Sequence, residues 1–313
     1  MALVAQILHM ALVLALAPLL TGLVRKTKAR LLGRRGPALV QPYRDLLRLL
    51  RKDAVLAENA SWLFRATPYL VFAATWLAAS LVPSFTTDLL LSPTADLIAL
   101  VALLGSARFF TALAGMDVGT AFGGIGASRE MMIASLAEPA MLMVTFTVSL
   151  LIGSTSLVTI SEHILLHDLG LRVSLGMGLV ALVMVAIAEN GRVPIDNPST
   201  HLELTMVHEA MVLEYSGRHL ALIEAGAMLK LLLYISLIGC IFVPWGMDVA
   251  GRITAFPQGL VSYLAKLAAA GVLLGLFETS IAKMRVFRVG EFLGGALLLG
   301  LLAVILLYVS RGL

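Results

Sequence analysis

Along the chain, apolar residues come in long runs, and charged residues gather between them. A helix needs about 20 mostly apolar residues to cross about 30 Å of hydrocarbon. Runs of that kind predict eight spans, at roughly 2–23, 66–86, 94–115, 130–152, 172–190, 220–243, 257–280 and 290–310. The run at 94–115 carries Arg108 inside it. The expected fold is all-α, a single integral membrane domain over 1–313 with about eight transmembrane helices. One stretch breaks the pattern. "NPSTHLELTMVHEAMVLEYSG" opens with a helix-start signal, Asn197 before Pro198, and ends at Gly217, a natural helix stop. At about 100° per residue His201 and His208 share one face, and Glu203 and Glu214 share another. Two polar stripes with apolar sides predict a partly embedded amphipathic helix near 198–216, beside a hydrated cavity.

Composition agrees with a membrane protein. Of 313 residues 59% are hydrophobic and only 13% charged, where soluble domains carry about 25% charged residues. In the first run the basic residues follow the apolar stretch, which predicts a retained first span and not a cleaved signal peptide. The loop at 24–65 is rich in Lys and Arg, among them Arg25, Lys28, Arg34, Arg35, Arg44 and Arg48, whereas "TTDLLLSP" has none. The positive-inside rule then puts the odd-numbered loops in the cytoplasm and both termini outside. The expected location is a bacterial or archaeal plasma (inner) membrane, with the chain multi-pass. Cys240 is the single cysteine. A cluster held by four thiolates therefore cannot form from this chain alone.

Arg108, Glu138, Glu189, Glu224, Lys230, Lys266 and Glu278 fall within or at the ends of spans. A charge near the bilayer centre costs about 2.5–3.5 kcal/mol on insertion scales, so such groups face protein or water and have partners. Two uses stay open: a proton relay, since a carboxyl can change its charge, or ion pairs that only hold helices together. Glu138 and Glu224 are the leading relay candidates, while Glu189, at the end of its run, could simply reach water. In the odd stretch Glu203 could serve merely as the far half of a capping box with Thr200. "HLELTMVHE" lacks the second His of a zinc motif, and the Gly-rich "MDVGTAFGGIGASRE" has neither the Lys-Ser/Thr finish of a P-loop nor a preceding strand. The latter reads as a flexible cytoplasmic loop. Gly271 and Gly275 form a small-xxx-small pair for close helix approach.

Three stretches carry a resemblance: "RRGPALVQPYRDLLRLLRKDAV", "GMDVGTAFGGIGASREMMIASLAE" and "ENGRVPIDNPSTHLELTMVHEAMVLEYSG". In this order, on an eight-span chain, they resemble the respiratory-chain NADH dehydrogenase subunit 1 family, which has relatives in membrane-bound [NiFe] hydrogenases. The likeness is to the hydrogenase branch, which includes formate hydrogenlyase subunit 4 and hydrogenase-4 component C. The quinone-reducing branch tends to read "PEAEAEL" where this chain reads "PSTHLEL", so Ser199 and His201 stand in place of two glutamates. The resemblance implies a non-catalytic anchor and coupling subunit. Its partners would be the [NiFe] large subunit, an iron–sulfur small subunit and antiporter-like membrane subunits, with the [NiFe] centre and iron–sulfur clusters held by partners and no cofactor bound here. The resemblance puts Glu138, Glu203 and Glu214 at acidic positions of the family; with Glu224, Lys230, Lys266 and Glu278 from the charges inside the spans they are the proton-relay candidates, with His201, His208, Glu209, Glu189 and Arg108 as supporting polar groups. The docking loop would include Arg34, Arg35, Gly36, Pro37, Gln41 and Asp45. A quinone-site subunit of a complex I-like NADH-quinone oxidoreductase and a stand-alone ion transporter are the alternative expectations.

Overall fold

A computed structural model describes residues 2–167, 172–192, 207–248, 256–281 and 288–312. They form eleven α-helices and no strand, the chain order being α1 Ala2–Leu31, α2 Gln41–Leu50, α3 Trp62–Leu81, α4 Leu97–Asp117, α5 Ala121–Ile152, α6 Leu157–Leu166, α7 Val173–Glu189, α8 His208–Val212, α9 Gly217–Phe242, α10 Phe256–Ser280 and α11 Val289–Gly312. Six of these, α1, α4, α5, α9, α10 and α11, are long and apolar enough to cross a membrane. Helices α3 and α7 occupy the other two intervals expected to span. The protein is an all-α polytopic membrane protein.

Local chemistry sets the helix starts. Ser61 accepts from the Leu63 N–H, Asp96 from Ile98 and Ala99, and Thr120 from Gly123, each satisfying donors that a first turn leaves free. Pro18, Pro68 and Pro139 lie inside helices; the Phe64 carbonyl that Pro68 leaves free accepts from the Tyr215 hydroxyl at 3.0 Å. The core lies where α4, α5, α7 and α9 meet, with Leu100, Val148, Leu182, Val185, Leu232, Leu233 and Leu237 sealed from solvent. Lipid is as apolar as leucine, so these contacts stabilise by close packing and not by leaving water.

The ends of α1, α4, α7 and α10 and the starts of α3, α5, α9 and α11 lie at one end of the bundle, with the Lys- and Arg-rich loop after α1. We call it the basic end. Two sequence expectations change there. The Gly-rich stretch is the first three turns of α5 and not a flexible loop. Its glycines let helices touch: a Cβ on Gly126 would lie 2.9 Å from Ala210 Cβ and the Val207 carbonyl. Gly217 has a positive φ of 52° as expected of a helix stop, yet it begins α9. The Asp53 carbonyl lies where its Cβ would be, so the first loop needs glycine there. The amphipathic helix expected near 198–216 falls mostly outside the described residues, and its described part is the single short helix α8. Helices α2 and α6 sit in segments read as loops. Gly271 and Gly275 do admit a close neighbour: a Cβ on either would come within 3.1 Å of α1 side chains, Leu20 and Leu23 for the first, Thr27 for the second.

Candidate functional site

Arg108 projects from the middle of α4 into the core, its side chain 5% exposed. Three carboxylates converge on it. Glu189 Oε1 pairs with Nη2, Glu138 Oε1 lies 3.4 Å from Nη1, and Glu130 Oε1 faces Nε at 3.2 Å as an ion pair without hydrogen-bond alignment. Glu189 extends the network: its Oε2 lies 2.8 Å from Lys230 Nζ on α9. Four helices thus meet through two cations and three carboxylates. A guanidinium suits the centre because its planar fork offers several donors in fixed directions.

The network arises from how the helices begin and end. Helix α7 is only 17 residues long, so its last residue stays inside the bundle. Glu189 therefore does not reach water; its side chain is 3% exposed. Helix α5 starts early, at Ala121, which places Glu130 opposite Arg108. Glu130 was not singled out from the sequence, because the segment before it read as a loop. The usable signal is Thr120 as a cap, with the helix formers Ala127, Arg129, Glu130, Met131 and Met132 following the glycines. Glu138 is the open member of the set, 43% exposed. Beside it a cavity lined by Leu104, Gly105, Arg108, Glu138, Glu189 and Tyr234 holds about 10 Å³ of space for the centre of a water-sized sphere, room for roughly one molecule.

Toward the basic end the charged groups continue. His208 on α8 lies near Glu130, Glu209, Lys230 and Arg108. His208 is exposed, and partial desolvation by the surrounding protein pushes its pKa down against the pull of Glu130. Glu209 and Glu214 are exposed. Glu224 is exposed on α9, within electrostatic reach of Arg25, Glu209 and Asp45. His201 and Glu203 lie outside the described residues.

Glu278 belongs to a different constellation. At the basic end its carboxylate is held by Lys28 at 3.0 Å and Arg192 at 2.9 Å, tying α10 to α1 and to the residues after α7. Lys266, in the middle of α10, is half-buried and makes no ion pair among the described residues. In the first loop Arg34, Arg35, Gly36 and Pro37 are exposed, while Gln41 donates to Asp45 at 2.9 Å within α2. That loop is fastened to the start of α9. The Val55 N–H donates to Ser216 Oγ at 2.8 Å, and Ser216 Oγ donates to the Val55 carbonyl at 2.9 Å. Tyr215 stacks on Phe64 with ring centres 3.9 Å apart, and burial raises the pKa of its phenol.

The chain as a whole has known relatives. The chain is 34% identical over 271 residues to formate hydrogenlyase subunit 4 of Escherichia coli K12, covering 87% of each chain. It is 33% identical over 272 residues to hydrogenase-4 component C of the same organism, covering 87% of this chain and 85% of that one. Its fold matches a chain of the membrane-bound sulfane sulfur reductase, an archaeal respiratory membrane complex, with a TM-score of 0.81 at 19% identity over 96% of this chain and 97% of that one. Residues 3–309 match the NADH dehydrogenase family. With nearly every residue inside that match, and α4, α5, α7 and α9 assembled around one buried arginine, the chain belongs to the NADH dehydrogenase family.

Proposed function

We propose that the chain is the membrane anchor and coupling subunit of a multisubunit [NiFe] hydrogenase complex of the formate hydrogenlyase kind. It joins a soluble redox module, made of the [NiFe] large subunit and an iron–sulfur small subunit, to ion-translocating, antiporter-like membrane subunits. The basic end faces the cytoplasm of a bacterial or archaeal cell, and both termini lie outside. The exposed loop with Arg34 and Arg35 meets the redox module. Redox centres reside in the partners; the buried thiol of Cys240 stands alone in this chain.

The observation that carries the reading is the continuity of titratable groups from the basic end into the core. Glu209 and His208 lead to Glu130, Glu130 to Arg108, and Arg108 to Glu189 and Glu138. The core set holds one carboxylate more than it has cations. A proton entering by way of the exposed Glu209 and His208 neutralises that excess, and Arg108 passes the change to Glu138, which opens toward the outside of the bundle. Electrostatic coupling over such short distances is strong because little water screens it. The relatives' names support the hydrogenase role, and the sequence "PSTHLEL" supports it over the quinone-reducing branch.

A mild-detergent pull-down of the tagged chain, with metal analysis and mass spectrometry, tests the assignment. Nickel and iron with a hydrogenase large subunit are expected. A flavoprotein arm with quinone and no nickel would move the chain to the quinone-reducing side of its family. Recovery of the chain alone would favour an independent transporter and end the docking role of the first loop.

A further inference from the structure

Helix α10 is the least enclosed of the six long spans. Only 22% of its most apolar stretch is buried, against 61% for α9. One side of it is used: Gly271 and Gly275 lie against α1. The side bearing Lys266 is covered only toward the start of α10, where Gly259 lies against the Phe85 carbonyl and Ser262 donates to the Trp245 carbonyl. Past Lys266 that face continues through Ala269, Ala270 and Leu273, three, four and seven positions along; before it, Tyr263 is buried and shares a hydrogen bond with Ser236. Ala269 is exposed and Leu273 is 64% exposed. The residues around the ammonium are thus mostly small, and a neighbouring helix backbone can approach closely there.

Lys266 sits ten residues from Phe256 and fourteen from Ser280, about 15 Å and about 21 Å along the helix. A four-carbon stem spans neither distance, so the charge cannot snorkel to either surface. Its nearest electrostatic neighbour is the thiol of Cys240, which supplies no opposite charge. Arg108 and Lys230, the cations of the core, each have a carboxylate at contact distance. Among the described residues Lys266 has an open face and no counter-charge.

We propose that the Lys266 face of α10 seats a transmembrane helix of a partner subunit that carries an Asp or Glu at the depth of Lys266. This rests on the reading of the chain as one subunit of a membrane complex. The pair would fix both the depth and the rotation of the partner helix, because a carboxylate one turn away would be left in lipid.

The test uses the intact complex purified from its own membranes. A photoreactive p-benzoylphenylalanine is placed at Ala269 and, as a lipid-facing control, at Leu302 of α11, which is 49% exposed. The expected result is an adduct from Ala269 to a membrane subunit, with an Asp or Glu within one helical turn of the attached residue, and lipid adducts alone from Leu302. Lys266→Met should lower the Ala269 adduct roughly tenfold or more, and Lys266→Arg should keep it. Lipid adducts alone from Ala269, a partner segment without an acid, or an adduct indifferent to Lys266→Met would each overturn the proposal. A chain that purifies with no partner at all would instead overturn the underlying assignment to a complex.

Discussion

Two buried charge assemblies, both built from Glu with Arg and Lys, are opposite in make-up. Around Arg108, three carboxylates share two cations deep among α4, α5, α7 and α9. At the basic end, Glu278 alone is held by Lys28 and Arg192. The first has an unneutralised carboxylate inside the protein, so gain or loss of one proton changes what every member feels. The second has a cation to spare and solvent at its edge, with Lys28 47% exposed. It resembles a clasp between helix ends. Glu278 and Glu189 look alike in the sequence, each at the end of an apolar run, and the structure sets them in assemblies of opposite charge balance; the proposed function gives conduction to the first assembly and helix holding to the second.

The largest blow to this contrast would be Arg108→Leu. It strands three carboxylates against Lys230 alone, and removing one partner of a buried ion pair costs about 3–5 kcal/mol. The variant should barely accumulate in membranes, read by quantitative immunoblot and by melting in detergent. Next comes Glu189→Gln, expected to cost about 3 kcal/mol. Combined with Lys230→Met it should cost less than the two single changes together, with a coupling of about 0.5–3 kcal/mol in a melting-based double-mutant cycle. Strict additivity would mean that Lys230 and Glu189 do not act as a pair. Glu278→Gln should cost about 1–3 kcal/mol, because two charge-assisted hydrogen bonds weaken, while leaving ion movement in vesicles unchanged. If that variant stops ion movement while the complex stays assembled, the distinction between the assemblies fails. Smallest in stability is Glu138→Gln, about 1 kcal/mol, because its contact of 3.4 Å is the longest of the three made to Arg108. It should assemble normally and abolish coupled ion movement, measured as acidification of vesicles during turnover. Its effect on transport is thus the reverse of that expected for Glu278.

Much of this was readable from the chain. Every expected span contains a helix, because twenty-residue apolar runs signal strongly and lipid leaves the backbone few alternatives. The charges inside those runs marked Arg108, Glu138, Glu189 and Lys230 as special before any of them could be paired. Pairing was not readable, since residues as far apart as Arg108 and Glu189 meet only through tertiary packing. Glu130 was hidden by its glycines: "GTAFGGIGAS" has loop composition, yet here glycine removes side chains so that α5 can lie against α8 and the end of α4. The same ambiguity sent Gly217 to the wrong side of a helix boundary. Left-handed backbone favours glycine at either end of a turn, and only the Asp53 carbonyl decides which. Helix α2 was missed because ten residues with scattered arginines give too short a pattern to stand out from a basic loop.

The short link between α4 and α5, residues 118–120, bears on how the protein is made. Arg108 leaves the ribosome before any of its partners exist, and a lone α4 would have to carry an uncompensated guanidinium into lipid, at about 2.5–3.5 kcal/mol. With so tight a turn, Glu130 follows almost at once and can meet Arg108 while both helices are still leaving the translocon. Insertion of α4 and α5 as one hairpin removes the need for the arginine to wait. Glu189 and Lys230 arrive later, on α7 and α9, and bring opposite charges that can neutralise each other. The order of residues along the chain is thus also a schedule in which Arg108 meets its first carboxylate early.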